Sequence, residues 1–269
     1  MTALHQLCIS QFEPQRYASL LQAIVCGHNF TTYEFRDPLI KAGVIHLFVV
    51  SGGHLVFLAE WLQRTGRIFQ RQIPFAAIFV ILLIYGAVAG FQPPIIRGLL
   101  MLGLTQIILS LRLNWPEIIL QIICGSLTCL LINTDSQLLS LLMSWQASLT
   151  LRLLTKKNEI LKATGIYLAM IPVLSLFQVT SPFSILLNVF LVPIFSWVIL
   201  PLSLVSTFFS FLQKNIMPPI FESLFIALNS LDFLLTPIPI EGAKASMTLV
   251  ILYLLFMHLM LENKRLKQN

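Results

Sequence analysis

Charge is scarce in this sequence. Lys, Arg, Asp and Glu make up 10% of the 269 residues, whereas soluble domains carry about 25% charged residues. Residues 163–213 contain no charge, and residues 72–96 form a second uncharged run. The composition is 57% hydrophobic, with a mean hydropathy of +0.86. This deficit excludes an ordinary soluble domain and predicts that most of the chain lies in a lipid bilayer.

The long apolar runs also lack polar–apolar alternation. Strands of membrane barrels need such alternation, so we predict helical spans, in which the backbone satisfies its own hydrogen bonds in lipid. One crossing takes about 20 apolar residues. The sequence therefore predicts an all-α, polytopic membrane protein with nine transmembrane segments, roughly at 43–62, 73–91, 94–111, 116–132, 137–153, 161–178, 183–211, 219–235 and 244–261.

Basic residues are missing from every second loop. The loops FQPP, NTDS, VTSP and TPIPIEG contain no Lys or Arg, whereas the alternate loops, which include Lys214, and the C-terminus are basic. The positive-inside rule then places the N-terminus outside and the C-terminus inside. The predicted parts are an amphipathic, extracytoplasmic N-terminal segment (1–42), a transmembrane domain (43–261) and a basic cytoplasmic tail (262–269).

Cysteine is rare, and its spacing gives no metal site. The chain has four Cys and no Cys-x-x-Cys pair, which is the spacing that zinc sites use. A Cys8–Cys26 disulfide would suit an oxidising side of the membrane, but the spacing does not require it. Residues 20–26 are predicted to form a short amphipathic or re-entrant helix. No P-loop is present, so neither a nucleotide nor another cofactor is predicted.

Polar residues interrupt the first span, HLFVVSGGHLVFL (46–58). In a helix, Ser51 and His54 would share a face, and Gly52-Gly53 would weaken the helix and allow close backbone approach. Three interpretations stay open for these residues and His46. They form a packing site bonded to neighbouring helices, line a polar path, or form a nucleophile–base pair of Ser51 and His54.

The segment YGAVAGFQPPIIRGLLM (85–101) places an arginine at the start of a span. Pro93 suits the first turn of a helix, so Arg97 follows shortly after the helix begins. Arg97 either extends to the outer headgroups or stands at the mouth of a pore, where guanidinium pairs with phosphate. Gly90 is predicted to serve helix packing.

The segment SPFSILLNVFLVPIFSWVILP (181–201) places an amide and two prolines inside an apolar run. Asn188 needs a partner or water at this depth. Pro193 and Pro201 predict a kink or a break into two half-helices. Broken helices occur where transporters bind their substrates.

These three segments resemble the ComEC competence proteins. The first carries the H-L-x-x-x-S-G-x-H pattern as His46, Leu47, Ser51, Gly52 and His54. Gly53 stands where family members usually have a bulky apolar residue. The second and third are similar to the family segments that contain, in this chain, Tyr85, Gly90, Phe91, Arg97, Ser181, Pro182, Ser184, Asn188, Pro193 and Pro201. The three matches occur in family order and cover roughly residues 18–235.

The resemblance implies an inner-membrane channel domain that passes single-stranded DNA into the cytoplasm during natural transformation. The predicted path-lining residues are His46, Ser51, Gly52, His54, Arg97 and Asn188, and the predicted helix-break or packing residues are Gly53, Gly90, Pro93, Pro193 and Pro201. No oligonucleotide-binding β-domain and no His-x-His-x-Asp nuclease signature is visible. We therefore expect no enzymatic activity, and as partners DNA, lipid, a separate nuclease, a DNA receptor, a cytoplasmic motor and further copies of the chain.

Two other functions stay open at this point. The first is an intramembrane serine hydrolase built on Ser51 and His54. The second is a secondary transporter of a small anion with Asn188 at its midplane, although the sequence has no clear inverted repeat.

Overall fold

The structure is a computed structural model, and it describes residues 2–28, 33–68, 73–132, 135–154, 157–174 and 181–235. Within these ranges 80% of the residues are helical, and the ranges contain no strand. The predicted all-α class is therefore confirmed. The predicted ninth segment (244–261), the end of the sixth and the basic tail lie outside the described residues.

The helices follow the apolar segments closely. In chain order they are α1 (Ala3–Ser10), α2 (Ala18–Leu21), α3 (Tyr33–Lys41), α4 (Gly52–Ile68), α5 (Phe75–Val88), α6 (Pro93–Ser110), α7 (Glu117–Leu130), α8 (Asp135–Leu153), α9 (Glu159–Leu174), α10 (Ser184–Ile194), α11 (Leu200–Ser206) and α12 (Met217–Ser230). Short π-helical turns at Gln22–Cys26, Phe195–Ile199 and Leu212–Ile216 extend or join them, and Ile45–Leu47 and Asp232–Leu234 are 3-10 turns.

Two helices in the described part are long and apolar enough to cross a membrane. They are α6 and the continuous helix Ser184–Ser206, which consists of α10, a π-helical turn and α11. Helix α5 and residues Ile119–Leu130 of α7 are apolar but shorter. The nine crossings predicted from the sequence are thus found in part, as two candidate spans.

The first predicted segment (43–62) begins as a turn and not as a helix. Residues Ile45–Leu47 form a single 3-10 turn, and α4 starts at Gly52. Gly43 has φ +68°, a left-handed conformation that suits glycine and ends α3. The glycine pair therefore lies in the first turn of a helix and is not a weak point inside one.

The N-terminal segment packs into the main core. Leu20, Leu21, Ile24 and Cys26 are all fully buried, and they belong to one apolar cluster with Phe221 of α12. Almost every residue of 20–26 is buried, so this short helix exposes little polar surface, and the re-entrant alternative stays a prediction. A Cys8–Cys26 disulfide, with 5.9 Å between the Cα atoms, joins α1 to the end of this stretch.

One polar contact bears on the predicted topology. Glu13 Oε2 lies 2.6 Å from Lys214 Nζ, and Gln213 Nε2 donates to the carbonyl oxygen of Gln11 at 3.2 Å. Residues this close cannot lie on opposite faces of a membrane. The loop charges placed residues 1–42 outside and Lys214 inside, so one of these two placements is wrong.

Helix α4 occupies a central position. It packs against α5 and α6, and α6 in turn packs against α7 and α8. A second apolar cluster joins α4, α5 and α6 through Leu55, Leu82, Ile95 and Leu99. The opposite side of the α4 N-terminus meets the helix Ser184–Ser206 at Phe195. The N-terminal turn of α4 therefore lies between two groups of helices.

Candidate functional site

The N-terminal turn of α4 touches the N-terminal half of α6. A methyl group added at Gly52 would lie 3.3 Å from the carbonyl oxygen of Pro94. One added at Gly98 would lie 2.8 Å from Leu55 Cδ1 and 3.8 Å from the Gly52 Cα. The contacts at 3.3 Å and 2.8 Å are shorter than an added methyl group allows without movement, so Gly52 and Gly98 let the two helices approach closely.

Arg97 projects from α6 into a cage made by two other helices. Its Nη1 donates to Gln121 Oε1 of α7 and to Ser148 Oγ of α8, both at 3.1 Å. Its Nη2 donates to the oxygens of Ser144, to O at 3.1 Å and to Oγ at 3.0 Å, and its Nε donates to the same Oγ at 3.3 Å. The side chain thereby joins α6, α7 and α8.

The Arg97 charge has only neutral partners in this cage. The residue is 6% exposed, and its hydrogen bonds within the described residues all go to hydroxyl, amide and carbonyl oxygens. The structure therefore shows Arg97 bonded inside the protein and not extended to the headgroups. A buried cation is costly unless it is compensated, and here the compensation comes from dipoles without a carboxylate.

Sequence reasoning missed Gln121, Ser144 and Ser148. The sequence did contain a pattern that could have found the two serines, because Ser144 and Ser148 are four residues apart on α8 and so share one face. Gln121 is 6% exposed in α7, an apolar helix in which an amide needs a partner. Ser144 also lies beside Gly52, since a methyl group there would be 4.0 Å from its Oγ.

Ser51 and His54 meet as their spacing predicted. The backbone N–H of Ser51 donates to His54 Nδ1 at 2.9 Å, and Ser51 Oγ lies 3.0 Å from the same nitrogen. His54 is 3% exposed, and its ring stands edge-on to Phe195 with 5.7 Å between the centroids. Its Nε2 is buried without a hydrogen-bond partner among the described residues.

His46 and Asn188 lie on the same side of α4 as His54. Asn188 Nδ2 donates to the Ser184 carbonyl at 2.8 Å and to the Gly43 carbonyl at 3.4 Å. The His46 ring lies against the Gly43 backbone and within electrostatic range of His54. The His46 side chain is exposed at the surface of the described part.

The predicted path residues therefore form two groups. Gly52 belongs with Arg97 on the side of α6 and α8. His46, His54 and Asn188 belong with the helix Ser184–Ser206. Gly52 and His54 are two residues apart, about 200° around a helix, so the groups lie on opposite faces of α4. Their role as a path lining stays a prediction.

The predicted packing glycines differ from each other. A methyl group at Gly53 would meet Ser51 Oγ at 3.4 Å and Phe57 at 4.0 Å, which are ordinary contacts. Gly90 has φ +68°, and a methyl group there would lie 3.1 Å from His5 Nδ1. Gly90 is therefore required by both its backbone conformation and its neighbour, whereas Gly53 is required by neither.

The prolines follow the helix rules only in part. Pro93 stands at the start of α6, as predicted. Pro193 lies inside α10 and is followed by the π-helical turn, while Pro201 opens α11. The helix Ser184–Ser206 is continuous, so the structure shows no break into half-helices, and the predicted kink stays a prediction. The π-helical turn Phe195–Ile199 lies between the two prolines.

Other binding features are few in the described part of the chain. No three His, Cys, Asp or Glu side chains come together there as metal ligands. A recess of about 250 Å³ lies between α6, α7 and the end of α8, and the ion pair of Glu117 and Arg152 lines it with Thr105, Asn114 and Trp115. This recess contains none of the predicted path residues.

These features define an all-helical protein in which two helices could span a membrane and three helices enclose a buried arginine. A family model described as "Competence protein" matches residues 26–265. The chain therefore belongs to the Competence family, the domain found in ComEC-type proteins, as the motifs predicted. The family is membrane-associated and supports a role in competence, the uptake of DNA. No curated protein and no solved structure matches the chain.

Proposed function

We propose that this chain is a channel domain that passes single-stranded DNA through the inner membrane into the cytoplasm. The observation that carries the proposal is the buried charge of Arg97, whose bonds within the described part of the chain all go to neutral oxygens. Buried ionisable groups in membrane helices commonly mark ion or substrate pathways. A cation without a carboxylate partner attracts an anion, and a DNA strand carries one phosphate charge per nucleotide.

The surroundings of Arg97 add to this attraction. Helix α4 begins at Gly52 and α6 begins at Pro93, and the two N-terminal turns are in contact. Each helix N-terminus carries a partial positive charge. The two helix ends and the guanidinium together favour a negative group at this junction, and guanidinium groups bind phosphate well.

The proposal includes the topology expected from the sequence. We propose nine crossings in the plasma membrane, with the C-terminus in the cytoplasm. Either the side assigned to residues 1–42 or the side assigned to Lys214 needs revision, since Glu13 pairs with Lys214. Proposed partners are the DNA strand, lipid, a separate nuclease, a DNA receptor and a cytoplasmic motor. A second copy of the chain would complete the path where one chain does not enclose it.

A hydrolase remains the second candidate because of one contact. Ser51 Oγ lies 3.0 Å from His54 Nδ1, which is the distance between a nucleophile and its base. Two observations favour the channel instead. The backbone N–H of Ser51 occupies the same nitrogen, and no described group orients the ring through Nε2. We therefore propose no enzymatic activity for this chain.

A secondary transporter has less support. Its argument was a seventh segment broken into half-helices, which would line a substrate site. The helix Ser184–Ser206 is continuous, and Asn188 uses its Nδ2 group on the Ser184 and Gly43 carbonyls. This arrangement serves helix packing and leaves no broken-helix site.

Uptake of labelled DNA tests the proposal. Cells that produce the parent chain or its Arg97→Met variant receive labelled DNA, and the surface DNA is then digested. Arg97→Met removes an interaction with a charged group that contributes about 1.5–3 kcal/mol, and this loss corresponds to a drop in binding of the strand of about tenfold or more. We expect that drop in protected cytoplasmic label, with outside-bound DNA unchanged.

Arg16→Met is the matched control, because the Arg16 guanidinium is 60% exposed and pairs with Glu34. It should take up DNA as the parent does. Parental uptake by Arg97→Met, at an equal level of inserted protein, would contradict a role for Arg97 in the path. Parental uptake by cells that lack the chain would contradict the proposed function itself.

A further inference from the structure

The imidazole of His54 is held in one tautomer. The backbone N–H of Ser51 can only donate, and it lies 2.9 Å from His54 Nδ1. Nδ1 must therefore accept this bond and cannot carry a proton. A neutral imidazole carries one ring proton, so the proton is on Nε2. A doubly protonated ring would direct an Nδ1–H at the Ser51 N–H, which the geometry excludes.

The Nε2–H group of His54 lacks an acceptor. Nε2 is buried, and within the described residues no atom accepts from it. Asn188 Oδ1 is a second buried atom without a partner, so these two atoms do not bond to each other. Buried donors are normally satisfied by protein or by ordered water. A buried donor that is held in orientation and that no described residue uses is available to a further acceptor.

The location of this donor agrees with such a contact. The ring stands against Phe195 of the helix Ser184–Ser206, and His46 lies within electrostatic range of it. His46 is exposed, so an exposed polar side chain lies near this donor. The Ser51 hydroxyl cannot turn to Nε2, because it lies 3.0 Å from Nδ1 on the other side of the ring.

We propose that His54 Nε2–H donates a hydrogen bond to a phosphate oxygen of the passing strand, with the Ser51 backbone N–H as the positioning group that fixes the proton on Nε2. This inference rests on the proposed function. Non-bridging phosphate oxygens only accept, and each nucleotide presents them whatever its base. A neutral donor binds more weakly than a cation does, and conduction needs contacts that a strand can leave. Arg97 on the opposite face of α4 would supply attraction, and His54 a releasable contact.

Two substitutions of His54 separate the two ring nitrogens. In His54→Gln the side-chain amide nitrogen reaches the position of Nε2 and keeps a donor there. In His54→Asn the shorter amide reaches only the position of Nδ1, and no donor is left at Nε2. We expect uptake of labelled DNA to stay within about twofold of the parent for His54→Gln and to fall by about fivefold or more for His54→Asn, because one neutral hydrogen bond is lost.

The controls distinguish this inference from its alternatives. His28→Asn makes the same chemical change at a partly buried histidine that no contact connects to His54, and it should leave uptake unchanged. Ser51→Ala keeps the backbone N–H that fixes the tautomer, so uptake should fall by no more than about threefold. A hydrolase with Ser51 as nucleophile would lose all activity in this variant.

Two results would overturn the inference while the proposed function stands. One is equal uptake by His54→Gln and His54→Asn, at parental levels of inserted protein, while Arg97→Met still fails. The other comes from nitrogen-15 NMR of labelled histidines in the intact, detergent-solubilised chain, with the His54 signal identified by its absence from His54→Gln. We expect protonated Nε2 and unprotonated Nδ1, and a proton on Nδ1 would refute the tautomer. Uptake that is unchanged in cells without the chain would instead refute the proposed function.

Discussion

Arg97→Lys tests the neutral cage most directly. The guanidinium reaches four acceptor atoms, which are Ser144 O, Ser144 Oγ, Gln121 Oε1 and Ser148 Oγ. A lysine ammonium has three donors and no planar fork, so at least one acceptor loses its bond although the charge remains. A hydrogen bond to a charged group contributes about 1.5–3 kcal/mol. We therefore expect Arg97→Lys to lower the free energy of unfolding by at least this amount.

The measurement is thermal unfolding of the purified chain in detergent, followed by intrinsic fluorescence. A chain of 150–250 residues loses about 2–4 °C per kcal/mol, so the Tm should fall by about 3–12 °C. Arg97→Met is the companion variant. It removes the charge together with its desolvation cost, and Ser148 Oγ can still donate to Gln121 Oε1, now at 3.3 Å. Its Tm should therefore fall no further than that of Arg97→Lys.

The two variants together distinguish an effect on protein stability from an effect on DNA uptake. We expect Arg97→Lys to keep part of the uptake because it keeps a cation, and Arg97→Met to lose it at a similar Tm. An unchanged Tm for Arg97→Lys would mean that the guanidinium does not join α6, α7 and α8 as described. Equal uptake by both variants would mean that the charge of Arg97 does not act on the strand.

Three further predictions concern the surroundings of the site. Gly52→Ala should lower the free energy of unfolding by about 1–3 kcal/mol, because its methyl group meets a backbone carbonyl at 3.3 Å. Gly53→Ala, whose methyl group makes only ordinary contacts, should raise this free energy by up to about 1 kcal/mol. Equal Tm values for the two variants would contradict the close contact at Gly52. Cys8→Ser removes the N-terminal disulfide to Cys26, which lies 18 residues away, and should lower the free energy of unfolding by about 3 kcal/mol. If reducing agent left the Tm of the parent chain unchanged, this prediction would be refuted. Cysteines placed at Glu13 and Lys214, which form an ion pair at 2.6 Å, should cross-link on mild oxidation, and the absence of a cross-link would restore their placement on opposite sides.

Helix positions could be predicted because they depend on neighbouring residues. Proline at the first helical position, absence of charge and the length of an apolar run are local properties. They located α6 within one residue, as Pro93–Ser110 against a predicted 94–111. The start of α4 was predicted too early, because apolar content does not distinguish a span from a buried turn. Leu47 and Phe48 belong to a buried cluster with Phe195, a contact that only the tertiary structure shows.

The candidate site could be predicted only as separate pieces. The contact between Ser51 and His54 followed from a spacing of three residues, and the need of Asn188 for a partner followed from its apolar surroundings. Which partner it takes did not follow, because the Gly43 carbonyl is 145 residues away along the chain. The division of the predicted path into two faces of α4 also escaped the sequence, since a helix pattern does not say which neighbour each face meets.

The sequence by itself determined the helical class, the apolar spans and the family, because each is written in composition, short spacing and motifs. The tertiary structure alone decided what surrounds Arg97. Its partners lie 24 to 51 residues further along the chain, on α7 and α8, and they come together because α6, α7 and α8 pack against one another. Contacts between helices depend on how whole surfaces fit, and that fit is not a property of any single segment.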